Sequence, residues 1–193
     1  MTEEIDNLFS PPRLLLGESA EQFASLRTEL MRDIKPKGIV EKIYVYDLAV
    51  LVWDIVRFRR LQTDIILNAR PAALLTILRQ LLAKINFPSD IDGLKAKILT
   101  RAWFENSAGK IEVQKLLEQF GLDEGAIDAE AYRIVFAELQ DLNRMLASAE
   151  ARFSKTIRCL ADYRKSFAQR AESSAVRILA ENDVPGLEPT EYN

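Results

Sequence analysis

The chain has no histidine among its 193 residues, so any acid-base or metal chemistry has to rest on carboxylates. Two of them, Asp47 and Asp54, stand in the run IYVYDLAVLVWDIVRFRR, residues 43 to 60, which is otherwise almost wholly apolar until its arginines begin. A carboxylate buried among such side chains needs a cation or a proton. Seven residues apart on a helix, the two share a face but sit ~10 Å apart along the axis, too far to chelate one ion. Asp54 has Arg57 within one turn. Asp47 has Ile43, Tyr44, Val50 and Leu51 in the corresponding places, so its partner is expected from another helix or another chain, with Arg101, Arg133 and Arg144 as candidates. The pair reads as two buried, orientation-setting ion pairs rather than as a catalytic site.

Without histidine, the Glu-x-x-His motif of di-iron bundles and every His-dependent triad are impossible. Glu18-x-x-Glu21 and Glu138-x-x-Asp141 match an all-carboxylate magnesium site in form, and a magnesium-dependent hydrolase is the remote alternative. Both quartets read as exposed helix faces. No phosphate-binding glycine loop, dinucleotide-binding glycine pattern or zinc-ligand cluster occurs. The sequence therefore assigns no catalytic residue, metal ligand or cofactor, and the expected protein is not an enzyme. Cys159 is the single cysteine, so no internal disulfide forms, and MTEEIDNLFS lacks the basic start and apolar stretch of a secretory signal. Cytoplasmic residence is the expectation. The most apolar stretch, Ile43 to Val56, falls short of the ~20 residues a spanning helix needs and is interrupted by aspartate, so no membrane span is expected.

Seven glycines and seven prolines in the whole length leave room for long helices. Residues 1–18, with Ser10-Pro11-Pro12 and Leu14-Leu15-Leu16-Gly17, read as an extended arm whose leucines dock on a core. Ser19 and Gln22 form a capping box that opens a helix running to about Ile34 and burying Phe23, Leu26 and Leu30. A second helix spans roughly Gly38 to Asn68, apolar on nearly every side in its middle, as a central helix would be. Pro71 is expected to open a third helix that stops before Phe87-Pro88. A fourth, capped by Ser89 or Asp90, passes through Trp103 and Phe104 to a turn at Asn106-Ser107-Ala108-Gly109. A short helix from Ile111 to Phe120 ends at Gly121.

Asp128 is expected to cap a last helix, Ala129 to about Ala180, free of proline and glycine. Its apolar residues recur in steps of four and three: Val135, Leu139, Leu142, Leu146, Ala149, Phe153, then Leu160, Tyr163 and Phe167, with Thr156 the weak position. Such a helix is ~75 Å long, so it either projects to meet a partner or bends near Ser154 to Thr156. The predicted architecture is an all-α bundle core over residues 19–128, built around the long central helix. A coiled-coil-like helix at 129–181 and a disordered acidic tail at 182–193 follow. Residues 129–177 carry nine Lys/Arg against six Asp/Glu, a net +3, while 178–193 carry four acids and no base.

Two further patterns have bland readings. KIEVQKLLEQFGLDEGAIDAEAYRIV, residues 110 to 135, has the order of a helix-turn-helix, but its second helix opens on Asp123 and Glu124, whose charge opposes phosphate. Arg57, Arg59 and Arg60, with Arg144, Lys155, Arg158 and Lys165 on the last helix, form candidate nucleic-acid contacts, mixed with Asp141, Glu150 and Asp162.

The stretches GESAEQFASLRTELMRDIKPKGIVEKIYVYDLAVLVWDIVRFRRLQTDII and IDAEAYRIVFAELQDLNRMLASAEARFSKTIRCLADYR resemble the core and the C-terminal helical half of a widespread group of uncharacterised small bacterial proteins. The shared features are an acidic helix start, a Pro-linked entry into a long helix carrying Trp and then Arg, and a later helix of the AEAR type. The resemblance covers about half of the chain. It implies an all-helical bacterial protein and no particular activity. The basic N-terminal extension common in that group has no counterpart in MTEEIDNLFS, so a nucleic-acid role resting on it does not carry over.

The leading expectation is a non-enzymatic interaction or scaffolding protein, a homo-oligomer joined through Leu139, Leu142, Leu146, Phe153, Leu160, Tyr163 and Phe167. The alternative is an accessory nucleic-acid-binding protein using the basic faces of the long helices.

Overall fold

The computed structural model describes residue 9, residues 12–85 and residues 89–182, without the side chains of 89–92 and 179–182. These residues form an all-α helical bundle: α1 (Ala20–Ile34), α2 (Ile39–Lys84), α3 (Ser89–Glu105), α4 (Ser107–Gln119), α5 (Glu124–Ile134) and α6 (Phe136–Asn182). No helix among them is long and apolar enough to cross a membrane. The expected acidic tail, beyond Asn182, and residues 1–8 and 10–11 of the expected arm lie outside the described residues.

The chain divides into two compact units, and not at the expected boundary of 128 and 129. One unit comprises residues 1–53 and 150–193, the other residues 54–149, so α2 and α6 contribute segments to both.

In the first unit, Ser19 caps α1 by accepting a hydrogen bond from the Gln22 N–H. Phe23 is fully buried and meets Trp53 of α2 edge to face, ring centroids 5.6 Å apart. Leu14, Leu26, Leu30, Tyr46 and Val50 pack around that pair. Of the three leucines expected to dock, Leu14 alone does so, Leu15 and Leu16 being exposed.

In the second unit, α2 presents Ala73, Leu74, Ile77, Leu78, Leu81 and Leu82 to Leu99 and Trp103 of α3, Val113 and Leu117 of α4, and Ile127 and Ala131 of α5. Each fully buried leucine here contributes roughly 1.5–3 kcal/mol. That burial explains why Pro71 does not end the helix as expected. Proline removes one backbone hydrogen bond and crowds the carbonyl four residues back, a cost of about 3 kcal/mol. The carbonyl concerned belongs to Leu67, half-exposed and within reach of water, while buried Ala69 and Ala73 flank the break on both sides.

Between α3 and α4 the expected four-residue turn contracts to Asn106. Its side chain accepts from the Gly109 N–H at 2.6 Å and caps α4. Gly121 takes φ +68° after α4, as its place at a helix end anticipates. The last long helix starts later than expected. Asp128 does not cap it but pairs with Arg70 of α2, Nε to Oδ1 2.8 Å, though the N–H is not aimed along that vector. A separate α5 precedes it, interrupted at Val135, whose N–H still bonds the Ala131 carbonyl.

Candidate functional site

The connection between α1 and α2 is KPKG, residues 35 to 38. Lys35 closes α1 in the left-handed conformation, φ 50° and ψ 64°, its N–H bonding the Met31 carbonyl at 3.0 Å. Glycine usually fills such a position, and a side chain there costs on the order of 1–2 kcal/mol. Gly38 then accepts from the Lys42 N–H and opens α2. Glu41, three residues on, turns back so that the Lys37 N–H donates to its Oε2 at 3.1 Å, satisfying a donor at the helix start.

The same Oε2 accepts from Arg164 of α6 at 2.7 Å, and the same Arg164 Nη2 donates to the Ile34 carbonyl at 2.7 Å. One guanidinium thus ties the end of α1, the start of α2 and α6 together. Among the described residues Glu41 is the one buried charged side chain. Its burial is a shallow covering by Arg164 at the rim of the unit, so the carboxylate loses contact with water without being deep in apolar surroundings. The Arg164 hydrogen bond holds its carboxyl below the ordinary range against the opposing pull of burial, helped by the Lys37 N–H and the charges of Arg164 and Lys37. The Glu41 hydrogen bond in turn raises the Arg164 pKa further.

Beside this clamp lies a groove of about 470 Å³. Its walls are Ile34, Lys35, Lys37, Glu41 and Arg164 with Phe167, Ala168 and Ala171. Lys35 and Lys37 are exposed, and Phe167 is 63% exposed. Three cations against one carboxylate give the lining a net charge of 3 − 1 = +2. The carboxylate is already bonded, so what remains for a visitor is positive charge beside apolar surface.

The seam residues take a different role from the one expected. Leu139 and Leu142 are buried within the second unit and Leu160 within the first, while Leu146, Phe153 and Tyr163 are half-buried. Tyr163 stands against Tyr44, ring centroids 6.4 Å apart, and Asn143 receives a hydrogen bond from Gln62. The four-and-three spacing therefore marks a face that packs inside the chain, with α2 meeting it at Tyr44 and Gln62. Phe167 is the exception. From Arg164 to Ile178 every residue of α6 is exposed.

The two aspartates are not buried ion pairs. Asp54 is half-buried and accepts from Arg57 at 2.8 Å, as its spacing anticipates. Asp47 is exposed, and the cation bearing on it is Arg152 of α6, none of the three arginines expected. Partial desolvation raises its carboxyl pKa and the charge of Arg152 works the other way. The apolar run misled because Asp47 faces outward although its neighbours Leu48 and Ala49 are buried.

Of the candidate nucleic-acid contacts, Arg57 and Arg144 are engaged with Asp54 and Asp141, and Arg59 has an interaction of its own. Arg60, Lys155, Arg158 and Lys165 are exposed. The carboxylates of the magnesium alternative are occupied singly: Glu18 accepts from the Leu15 N–H, Glu21 from the Ser19 hydroxyl and Asp141 from Arg144. Among the described residues no three His, Cys, Asp or Glu side chains gather as metal ligands would. In the helix-turn-helix stretch, Glu124 pairs with Lys110 at 3.0 Å, as a turn between core helices would have it. Cys159 is a half-buried free thiol.

Sequence reasoning overlooked Glu41. Its place three residues after Gly38 is a capping signal, but its partner is 123 residues away and nothing local points to it. Fold and site together define the class, an all-α protein whose last helix is exposed from Arg164 to Ile178. No family model, curated protein or solved structure matches the chain.

Proposed function

We propose that the chain is a non-enzymatic interaction protein that offers the last turns of α6 as a contact surface for another protein. One observation carries the reading. The stripe of α6 that is buried at Leu160 continues along the same face to Phe167, Ala171 and Ile178, where the side chains of Phe167 and Ile178 are 63% and 53% exposed. α2 begins at Ile39, close to Arg164, so α6 runs ~27 Å beyond the helix that covers its earlier turns. A helix this exposed gains little from its own chain, and an apolar stripe left on it favours association.

The test is Phe167→Asp with Ile178→Asp. The double variant should unfold within about 1 kcal/mol of the parent, since surface positions contribute little, yet lose the proteins that the parent retains from an extract of its own host. A variant that keeps the same bound proteins refutes the reading, as does one that unfolds far more easily, because Phe167 and Ile178 would then be internal contacts.

The nucleic-acid reading is favoured by Lys155, Arg158 and Lys165, exposed on one face of α6. It predicts binding to an oligonucleotide that falls steeply with salt and drops on charge reversal of those three.

A further inference from the structure

We propose that the partner docks an acidic amphipathic helix along α6 and into the groove beside the KPKG connection. This rests on the reading of α6 as a contact surface and names the chemistry of its occupant. Phe167, Ala171 and Ile178 are four and seven residues apart and form a straight stripe ~16 Å long, about three helical turns. A helix with apolar residues at the same repeat lies along such a stripe and covers it, the usual manner in which helices are taken into grooves. Ala168, Ala171 and Ala175 leave room between Phe167 and Ile178 for a partner's side chains, at the ~8–10 Å axis separation of packed helices.

Charge decides the character of the visitor. Residues 164 to 178 carry Arg164, Lys165, Arg170 and Arg177 against Glu172, a net charge of 4 − 1 = +3. Lys35 and Lys37 add two cations at one end and Glu41, bonded to Arg164, cancels one, so this stretch of helix and the groove together carry 3 + 2 − 1 = +4. A second copy laid on this surface brings the same net positive helix and groove against the first, a like-charge juxtaposition that opposes pairing. A nucleic acid would satisfy the cations and leave Phe167 and Ile178 in water. An acidic helix satisfies both, its carboxylates meeting Arg170 beside the stripe and Lys35 and Lys37 at the groove while its apolar stripe covers that of α6. Lys35, left-handed at the end of α1, is one of the residues that line this groove.

The experiment titrates the full chain with three synthetic peptides of about 15 residues, the length of four turns. One places leucine at helical spacing with glutamate elsewhere, the second keeps the leucines and replaces glutamate by lysine, and the third scrambles the first. Fluorescence anisotropy should show the acidic amphipathic peptide binding at least about tenfold more tightly than either control. The advantage should shrink as salt rises, and it should be lost with Phe167→Asp and with Lys35→Glu plus Lys37→Glu. Equal binding of the acidic and basic peptides overturns the assignment, as does equal binding of the scrambled one. A parent that dimerises through Phe167, or an oligonucleotide that displaces the acidic peptide with higher affinity, also overturns it. If no peptide binds while the Phe167→Asp/Ile178→Asp variant still loses its host partners, the acidic-helix assignment fails and the interaction reading stands. If those partners are unchanged as well, both fail.

Discussion

Gly109→Ala tests the closest helix approach in the second unit. Gly109 is buried in the first turn of α4, and a β-carbon there would lie 2.4 Å from the Ala102 Cβ and 2.5 Å from the Ala102 carbonyl carbon and oxygen of α3. Unbonded carbons rest at ~3.5–4.0 Å, so α3 and α4 would have to part by about 1 Å. They are not free to do so gradually, because Asn106 is the whole connection and its side chain pins the Gly109 N–H. Two effects oppose each other. Alanine gains up to about 0.5–1 kcal/mol of helix propensity over glycine. Overpacking costs about 1–3 kcal/mol, and the upper end applies here because the atoms met are backbone and Cβ rather than the tip of a mobile side chain. The net is a loss of about 2 kcal/mol, or a Tm lower by roughly 4–8 °C for a chain of this length. Circular dichroism through thermal unfolding reads it. Adding Ala102→Gly removes one of the clashing atoms and leaves the carbonyl, so it should restore part of the loss. A Tm equal to or above that of the parent would refute the close approach.

Three other substitutions separate the roles assigned above. Glu41→Gln removes a carboxyl that folding holds below its ordinary 4.5; its contribution is complete above that value and is lost as pH falls through the depressed folded value. Parent and variant should therefore differ in urea midpoint near neutrality and converge in acid, and identical midpoints near neutrality would show that the Arg164 clamp contributes nothing. Asp47→Asn should leave stability unchanged or raise it by up to about 0.5 kcal/mol in this screened, exposed position. Folding raises that carboxyl above 3.8, so stability falls as pH climbs from there through the folded value; a loss near neutrality would reveal an ion pair. Leu160→Ala should cost about 2–5 kcal/mol with no change in mass by light scattering, and a smaller mass with little loss of stability would return the seam to an intermolecular role.

The sequence by itself determined the helical class, and most of the helix ends follow from local chemistry. Ser19, Asn106 and Gly121 act within a few residues of themselves, so their caps and turns are legible in one dimension. The four-and-three rhythm of Leu139 to Tyr163 is equally local, and it correctly marks one buried face of α6. What covers that face is not local. Whether α2 or a second copy meets Leu160 depends on where residues more than a hundred positions away come to rest, and only the tertiary structure placed Tyr44 and Glu41 there. The same holds for Pro71, whose breaking tendency is overridden by the burial of Ala69, Ala73 and Leu74, and for Asp47, which looked buried because its neighbours in sequence are apolar. Burial is a property of a face and not of a run. The groove beside Lys35, Lys37 and Arg164 has no signature in the sequence, since it exists only because α6 continues past the point where α2 begins.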